Sequence, residues 1–128
     1  MRPETNETGL TLIDPEVLKT SETLRRLGGD REFIAVLYQT FLDELDDRLN
    51  KFDECVAARD LPQMLKRAHS LKGAAATIDA GRVREAALEM EMAARQEDLQ
   101  QTLDAYKILK PEIISLGQAL TTWLKAQG

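Results

Sequence analysis

Apolar residues recur every three or four positions through four long stretches, the spacing of helices that each bury one face. Phe33, Leu37, Phe41, Leu45, Leu49, Phe52 and Val56 mark the first long stripe, with acidic and basic residues filling the other face. Leu61, Leu65, Ala68, Leu71, Ala75 and Ile78 mark the next. Val83, Ala86, Ala87, Met90 and Ala94 make a third, and Leu99, Leu103, Tyr106, Leu109, Ile113, Leu116, Leu120 and Leu124 a fourth.

The residues between the stripes punctuate them. Asp14-Pro15 reads as a helix start, so a short first helix is predicted from about Pro15 to Leu27, ended by Gly28-Gly29. Asp30 caps the second helix, and Asp60 the third, with Pro62 in a first turn where a missing N–H does no harm. Asp79-Ala80-Gly81 breaks the third helix from a fourth running from about Arg82 to Arg95. The fifth is predicted from about Asp98 to Ala126, kinked or split by Pro111. No segment alternates with period two, and no repeat or low-complexity tract is present. The expected fold is all-α: an antiparallel up-down four-helix bundle with a short extra N-terminal helix. Residues 1–13 read as a flexible lead-in and residues 14–127 as one domain.

Composition narrows the function classes. A chain of 128 residues that is 43% hydrophobic and 30% charged has enough apolar side chains for one core and a solvated surface. A net charge of -5 argues against nucleic acid as partner, because phosphate backbones select basic surfaces. No apolar run reaches the ~18 residues of a membrane span, and Met1 to Thr11 lack an apolar signal core. The single Cys55 forms no internal disulfide and reads as a small core-side residue. A cytoplasmic monomer is expected.

The one histidine, His69, stands in the run Arg67-Ala68-His69-Ser70-Leu71-Lys72-Gly73-Ala74-Ala75-Ala76-Thr77-Ile78. At ~100° per residue, His69 falls at the edge of the apolar stripe, with Gly73 and Ala76 beside it and Lys66 further out. A lone helical histidine is more often a solvated boundary residue than a site. Gly73 is harder to explain that way, since glycine inside a helix costs about 1 kcal/mol relative to alanine. Three alanines follow it, so something must come close there: another helix of the bundle or an outside partner. A neutral imidazole is a competent nucleophile near neutral pH, and the phosphohistidine it would form carries negative charge that Lys72 would offset.

The run Ala68-His69-Ser70-Leu71-Lys72-Gly73-Ala74-Ala75-Ala76 resembles the signature of histidine-containing phosphotransfer (HPt) domains of two-component phosphorelays. The resemblance extends over roughly residues 14–125, with the Gly-Gly-Asp entry to the second helix and the same helix order. It implies that His69 accepts a phosphoryl group from an aspartyl phosphate on a receiver domain and passes it to another receiver. It implies that Lys72 supports the phosphoryl charge and that Gly73 leaves room for the receiver. Glu91 aligns with a fourth-helix polar residue that hydrogen-bonds the histidine ring and would fix its tautomer. Arg95, Lys66 and Ala76 are docking candidates. The chain departs from the family where Asp79 replaces a usual glycine; Gly81 is then expected to take over the break, or Asp79 to cap the fourth helix.

Catalysis by the chain alone is not expected. There is no glycine-rich nucleotide loop, and one His and one Cys do not make a zinc site. No cofactor is expected on this chain, and Mg²⁺ is expected on the partner receiver domain. The rival readings are a non-catalytic helical adaptor, indifferent to His69→Gln, and an excised phosphotransfer domain of a larger hybrid or chemotaxis-type kinase.

Overall fold

The computed structural model describes residues 13–127. Five helices follow in chain order: α1 (Thr20–Arg26), α2 (Arg31–Ala57), α3 (Leu61–Thr77), α4 (Gly81–Arg95) and α5 (Leu99–Gln127). There is no strand among the described residues. Helices α2 to α5 form the antiparallel bundle, each packed on the next and α5 closing back on α2, with α1 as the short extra helix. Residues 1–12 of the expected lead-in lie outside the described residues; Ile13, its last residue, is buried in the core.

The corners are built from one repeated device. The chain turns left-handed just past the ends of α1 to α4, at Gly28 (φ 73°), Arg59 (φ 54°), Asp79 (φ 57°) and Glu97 (φ 56°). After each, a backbone N–H bonds five residues back: Gly29 to Leu24, Asp60 to Cys55, Ala80 to Ala75, and Asp98 to Ala93. A new helix then starts at once. The carboxylates of Asp30, Asp60 and Asp98 accept from the N–H groups of Phe33, Gln63 and Gln101 at 3.0, 3.1 and 3.0 Å. Each such cap is worth about 1 kcal/mol. Asp30, Asp60 and Asp98 therefore each start the next helix, whereas Asp79 sits at the left-handed position that ends α3, and the short corners force up-down neighbours.

Several sequence expectations need correction. The first helix begins at Thr20, five residues later than Asp14-Pro15 suggests. Asp14 does cap a turn, its carboxylate accepting from Glu16 N–H at 2.9 Å and its carbonyl from Val17 and Leu18. The chain then leaves the helical path so that Val17 and Leu18 enter the core and Lys19 N–H reaches the Asp79 carbonyl at 3.1 Å. At the start of α2 the buried stripe is Ile34 and Tyr38, one residue on from Phe33 and Leu37. Phe33 is left 46% exposed, because Tyr38 turns inward to bond the buried Thr20 hydroxyl at 3.0 Å. In α3, Met64 is buried and Leu61 and Leu65 are only partly so. Pro111 does not split α5: it lies on the exposed side, and the carbonyl it leaves without an N–H belongs to the exposed Lys107.

The rest of the core follows the predicted stripes except in α5, where Trp123 is fully buried in place of Leu124 and Leu99 and Leu103 are only half-buried. Trp123 packs edge-on against Tyr38, ring centroids 5.0 Å apart, and Phe52 stacks on Tyr106 at 5.3 Å. The α3–α4 interface differs in kind. Ala68 and Ala75 on α3, and Ala86, Ala87, Ala93 and Ala94 on α4, are all buried, so small side chains make up much of what these two closely packed helices bury. That closeness positions the site.

Candidate functional site

His69 projects from α3 with 62% of its side chain exposed. Glu91, on the facing side of α4, is 2% exposed. A carboxylate on an ordinary helix would not cross to the neighbour's outer edge, but alanines along the interface bring α4 within reach. Glu91 Oε2 lies 2.7 Å from His69 Nδ1. The same oxygen accepts from Arg95 Nη2 at 2.7 Å, one turn further along α4. The other oxygen, Oε1, forms an ion pair with Lys72 Nζ at 2.7 Å.

Glu91 is thus a buried charge with three partners. Burial alone would push its carboxyl up, but Lys72, Arg95 and His69 outweigh it and bring the group from its usual 4.5 down to about 2. At neutral pH the carboxylate is ionised and can only accept. The histidine nitrogen facing it must therefore be the N–H, which assigns the ring proton to Nδ1 and leaves the lone pair on Nε2. Nε2 bonds no protein group among the described residues.

Gly73 is exposed, one turn beyond His69. A Cβ placed on it would meet no atom of this chain within 4 Å. Bundle packing therefore does not require glycine at this position. Ala76 continues the same exposed strip, and Lys66 is exposed one turn before His69. Past Ala76 the strip opens into a groove lined by Pro15, Glu16, Lys19, Arg82 and Glu85. Among the described residues no group of three or more His, Cys, Asp and Glu is placed to hold a metal. None of the helices is long and apolar enough to cross a membrane.

The corner between α3 and α4 fixes how the two halves of the site meet. Asp79 occupies its left-handed position, so Gly81 does not take over the break and Asp79 does not cap α4. Gly81 is instead the first residue of α4, and Arg82 N–H donates to the Glu16 carbonyl at 3.0 Å. A left-handed aspartate costs roughly 1 kcal/mol or more. Its side chain offsets this by accepting from the buried Thr23 hydroxyl at 2.6 Å and from Arg26 at 2.9 Å. Burial would raise the Asp79 carboxyl, but these two donors hold it below the usual carboxylate range.

Sequence reasoning brought His69, Lys72, Gly73, Glu91 and Arg95 forward, and the structure gathers them within one network and its open border. It did not foresee that Lys72 and Arg95 both rest on Glu91. For Arg95 a signal existed, since Glu and Arg four apart on a helix are neighbours. For Lys72 the pairing needs the register of α3 against α4.

A family model for the Hpt domain matches residues 36–125. Comparison with curated proteins gives no match. Among solved structures, the chain is similar to the HPT domain of an Hpt sensor hybrid histidine kinase from Shewanella, with a TM-score of 0.80 and 18% identity. The likeness covers 88% of this chain and 97% of that one. It is also similar to a histidine-containing phosphotransfer protein from maize, with a TM-score of 0.69 and 21% identity over 91% of this chain and 85% of the other. At these identities the likeness is one of fold.

Proposed function

The chain belongs to the Hpt domain family, and from that premise we propose that it carries a phosphoryl group on His69 between two receiver domains. One observation supports this most directly: the ring of His69 is exposed while its Nδ1 is tied to a buried, ionised Glu91. The Nε2 lone pair attacks phosphorus of the receiver's aspartyl phosphate. The P–O bond to the aspartate breaks, its electron pair returns to the carboxylate, and a P–Nε2 bond forms. The onward step reverses this on a second receiver. Mg²⁺, where it takes part, belongs to the receiver's site and offsets phosphoryl charge there.

Each remaining residue has a place in this reading. Glu91 fixes the tautomer. Lys72, 30% exposed, is near enough to lend its charge to a phosphoryl group on the neighbouring turn. Gly73 and Ala76 keep the strip beside His69 low, so that a receiver's loops can approach the ring. Lys66 and Arg95 border that strip and meet the receiver's acidic rim. The chain supplies a positioned nucleophile and a docking face, and the receiver supplies the activated phosphoryl group.

The test is incubation with phosphorylated receiver domains and Mg²⁺, beside a His69→Gln variant. Acid-labile, base-stable label is expected on the wild type alone. Because the chain has one histidine, any phosphohistidine is His69. Absence of label across a broad receiver panel would transfer the case to the adaptor reading, in which His69→Gln is silent.

A further inference from the structure

The phosphorylated ring has a proton to account for, and Glu91 decides where it goes. Nε2 attack by a neutral imidazole leaves a phosphoimidazole that still bears hydrogen on Nδ1 and so carries a positive ring charge. In free solution near neutral pH that proton readily departs. Without it, the P–Nε2 bond can break only by expelling imidazolate, a poor leaving group. With it, the bond breaks to neutral imidazole. A phosphohistidine is a good donor only while Nδ1 stays protonated.

Glu91 is built to hold that proton. Its Oε2 stands 2.7 Å from Nδ1, and the side chain is 2% exposed, so water does not compete freely for the bond. Lys72 and Arg95 keep the carboxylate ionised and fixed in place. The charged groups around the ring are Glu91 and Arg95 from α4, and Lys72 and Lys66 from α3 itself. Of these only Glu91 is an acceptor, and none of α1, α2 and α5 adds an ion pair to the four. A carboxylate and an imidazolium at this distance form a hydrogen bond in which both partners are charged, stronger than the one the neutral ring makes to the same carboxylate in the resting state. The bond therefore tightens on phosphorylation.

We propose that Glu91 is a positioning residue that retains the Nδ1 proton through the whole cycle, so that the phosphoryl group enters and leaves His69 with no proton exchanged with solvent. The inference rests on the phosphotransfer reading. Phosphoryl arrives on Nε2 as the aspartyl P–O bond breaks, and it departs as the P–Nε2 bond breaks with its electron pair going to Nε2. The same hydrogen sits between Nδ1 and Glu91 throughout. The consequence is a labile phosphohistidine whose transfer does not fade as pH rises above neutrality.

The test labels wild type and Glu91→Gln with phosphoramidate, a small donor that needs no receiver, and follows phosphohistidine loss from about pH 6 to about pH 9. In the wild type the lifetime is expected to stay level over this range. In Glu91→Gln, Nδ1 is expected to lose its proton as pH rises, lengthening the lifetime on the order of tenfold for each unit above the ring's own pKa. Superimposable pH profiles overturn the proposal, as does a variant with a uniformly altered lifetime and the wild-type profile, which marks a merely structural role. Phosphorus NMR of the wild type gives a second reading that does not depend on the variant folding. The phosphohistidine resonance is expected to show no titration step in this range, and a step near neutrality overturns the proposal. Failure of both phosphoramidate and receivers to label His69 at all is a different result, and it overturns the phosphotransfer reading itself.

Discussion

Two glycines lie inside helices, and the same substitution should move stability in opposite directions at each. At Gly73 a new Cβ meets nothing of this chain within 4 Å, and the backbone is ordinary α-helix. Gly73→Ala then keeps only the helix-propensity gain, about 1 kcal/mol. For a domain of this size that raises Tm by about 3–5 °C. At Gly117, in α5, the new Cβ would stand 2.7 Å from Leu45 Cδ2. Leu45 is buried beside Gly117 at the edge of a groove lined by Leu42, Leu49 and Ile114, and it must leave its place in the core to make room. Overpacking of this kind costs about 1–3 kcal/mol, which cancels or exceeds the propensity gain. The two alanine variants should therefore differ by roughly 1–3 kcal/mol, Gly73→Ala above wild type and Gly117→Ala at or below it. Urea unfolding followed by fluorescence of Trp123, the sole and fully buried tryptophan, reads both on one scale. Gly73→Gln adds the functional half: it retains much of the helix gain but raises a side chain beside the ring, and receiver-dependent labelling of His69 should fall at least about tenfold. A destabilised Gly73→Ala would show that the open space is misjudged. A Gly73→Gln variant that is labelled at the wild-type rate would show that no partner comes close there.

Three other outcomes follow from the corners and the buried carboxylate. Arg59→Gly relieves a left-handed arginine and should stabilise by about 0.5–1 kcal/mol, whereas Asp79→Gly relieves the same strain but forfeits the Thr23 and Arg26 bonds, so it should be neutral or destabilising in the same urea assay. Glu91 and Asp79 both have depressed carboxyl values, so the stability they contribute is present above the unfolded range near pH 4 and is lost as pH falls through their lower folded values, about 2 for Glu91. For Glu91 this contribution is on the order of 2 kcal/mol after solvent screening, and Glu91→Gln should lose most of its disadvantage against wild type when unfolding is measured at low pH. Inserting one glycine after Asp79 should turn Glu91 by ~100° about α4 and shift it ~1.5 Å, leaving a folded bundle with His69 unpaired and a histidine ¹⁵N spectrum showing mixed tautomers; a spectrum still showing a single Nδ1–H tautomer would contradict the corner's role.

The long helices were legible because their apolar stripes and aspartate caps agree. Asp30 and Asp60 cap as expected, and α4 buries each residue of its predicted stripe. The misreadings share a cause: a tertiary contact overrode a local signal. Asp14-Pro15 has the chemistry of a helix start and makes one turn of it. The chain then spends Lys19 N–H on Asp79 and the Glu16 carbonyl on Arg82, and no window of sequence contains both ends of those bonds. Phe33 has the spacing and the apolar side chain of a core residue, yet Tyr38 is held inward by a hydroxyl on α1, and the buried stripe rotates to Ile34 and Tyr38. Pro111 breaks a helix only if its neighbours cannot spare a bond, and on a solvated face they can.

The site was legible one helix at a time and illegible between helices. Spacing alone places Lys72 and Gly73 beside His69, and Arg95 beside Glu91. What joins the pairs is the corner. His69 and Glu91 stand eleven residues to either side of Ala80, which lies at the tip of the turn between antiparallel helices. Equal path lengths along two antiparallel helices end at the same height, so the two side chains meet if the turn adds no offset. The left-handed Asp79, tied to Thr23 and Arg26, makes it such a turn. The alanines then decide the remaining distance, since larger side chains at 68, 75, 86 or 87 would push α4 away and pull the carboxylate off the ring. Alanines that look like filler and an aspartate that looks like a flaw thus hold the histidine's proton in place, each through geometry that a helix-by-helix reading does not contain.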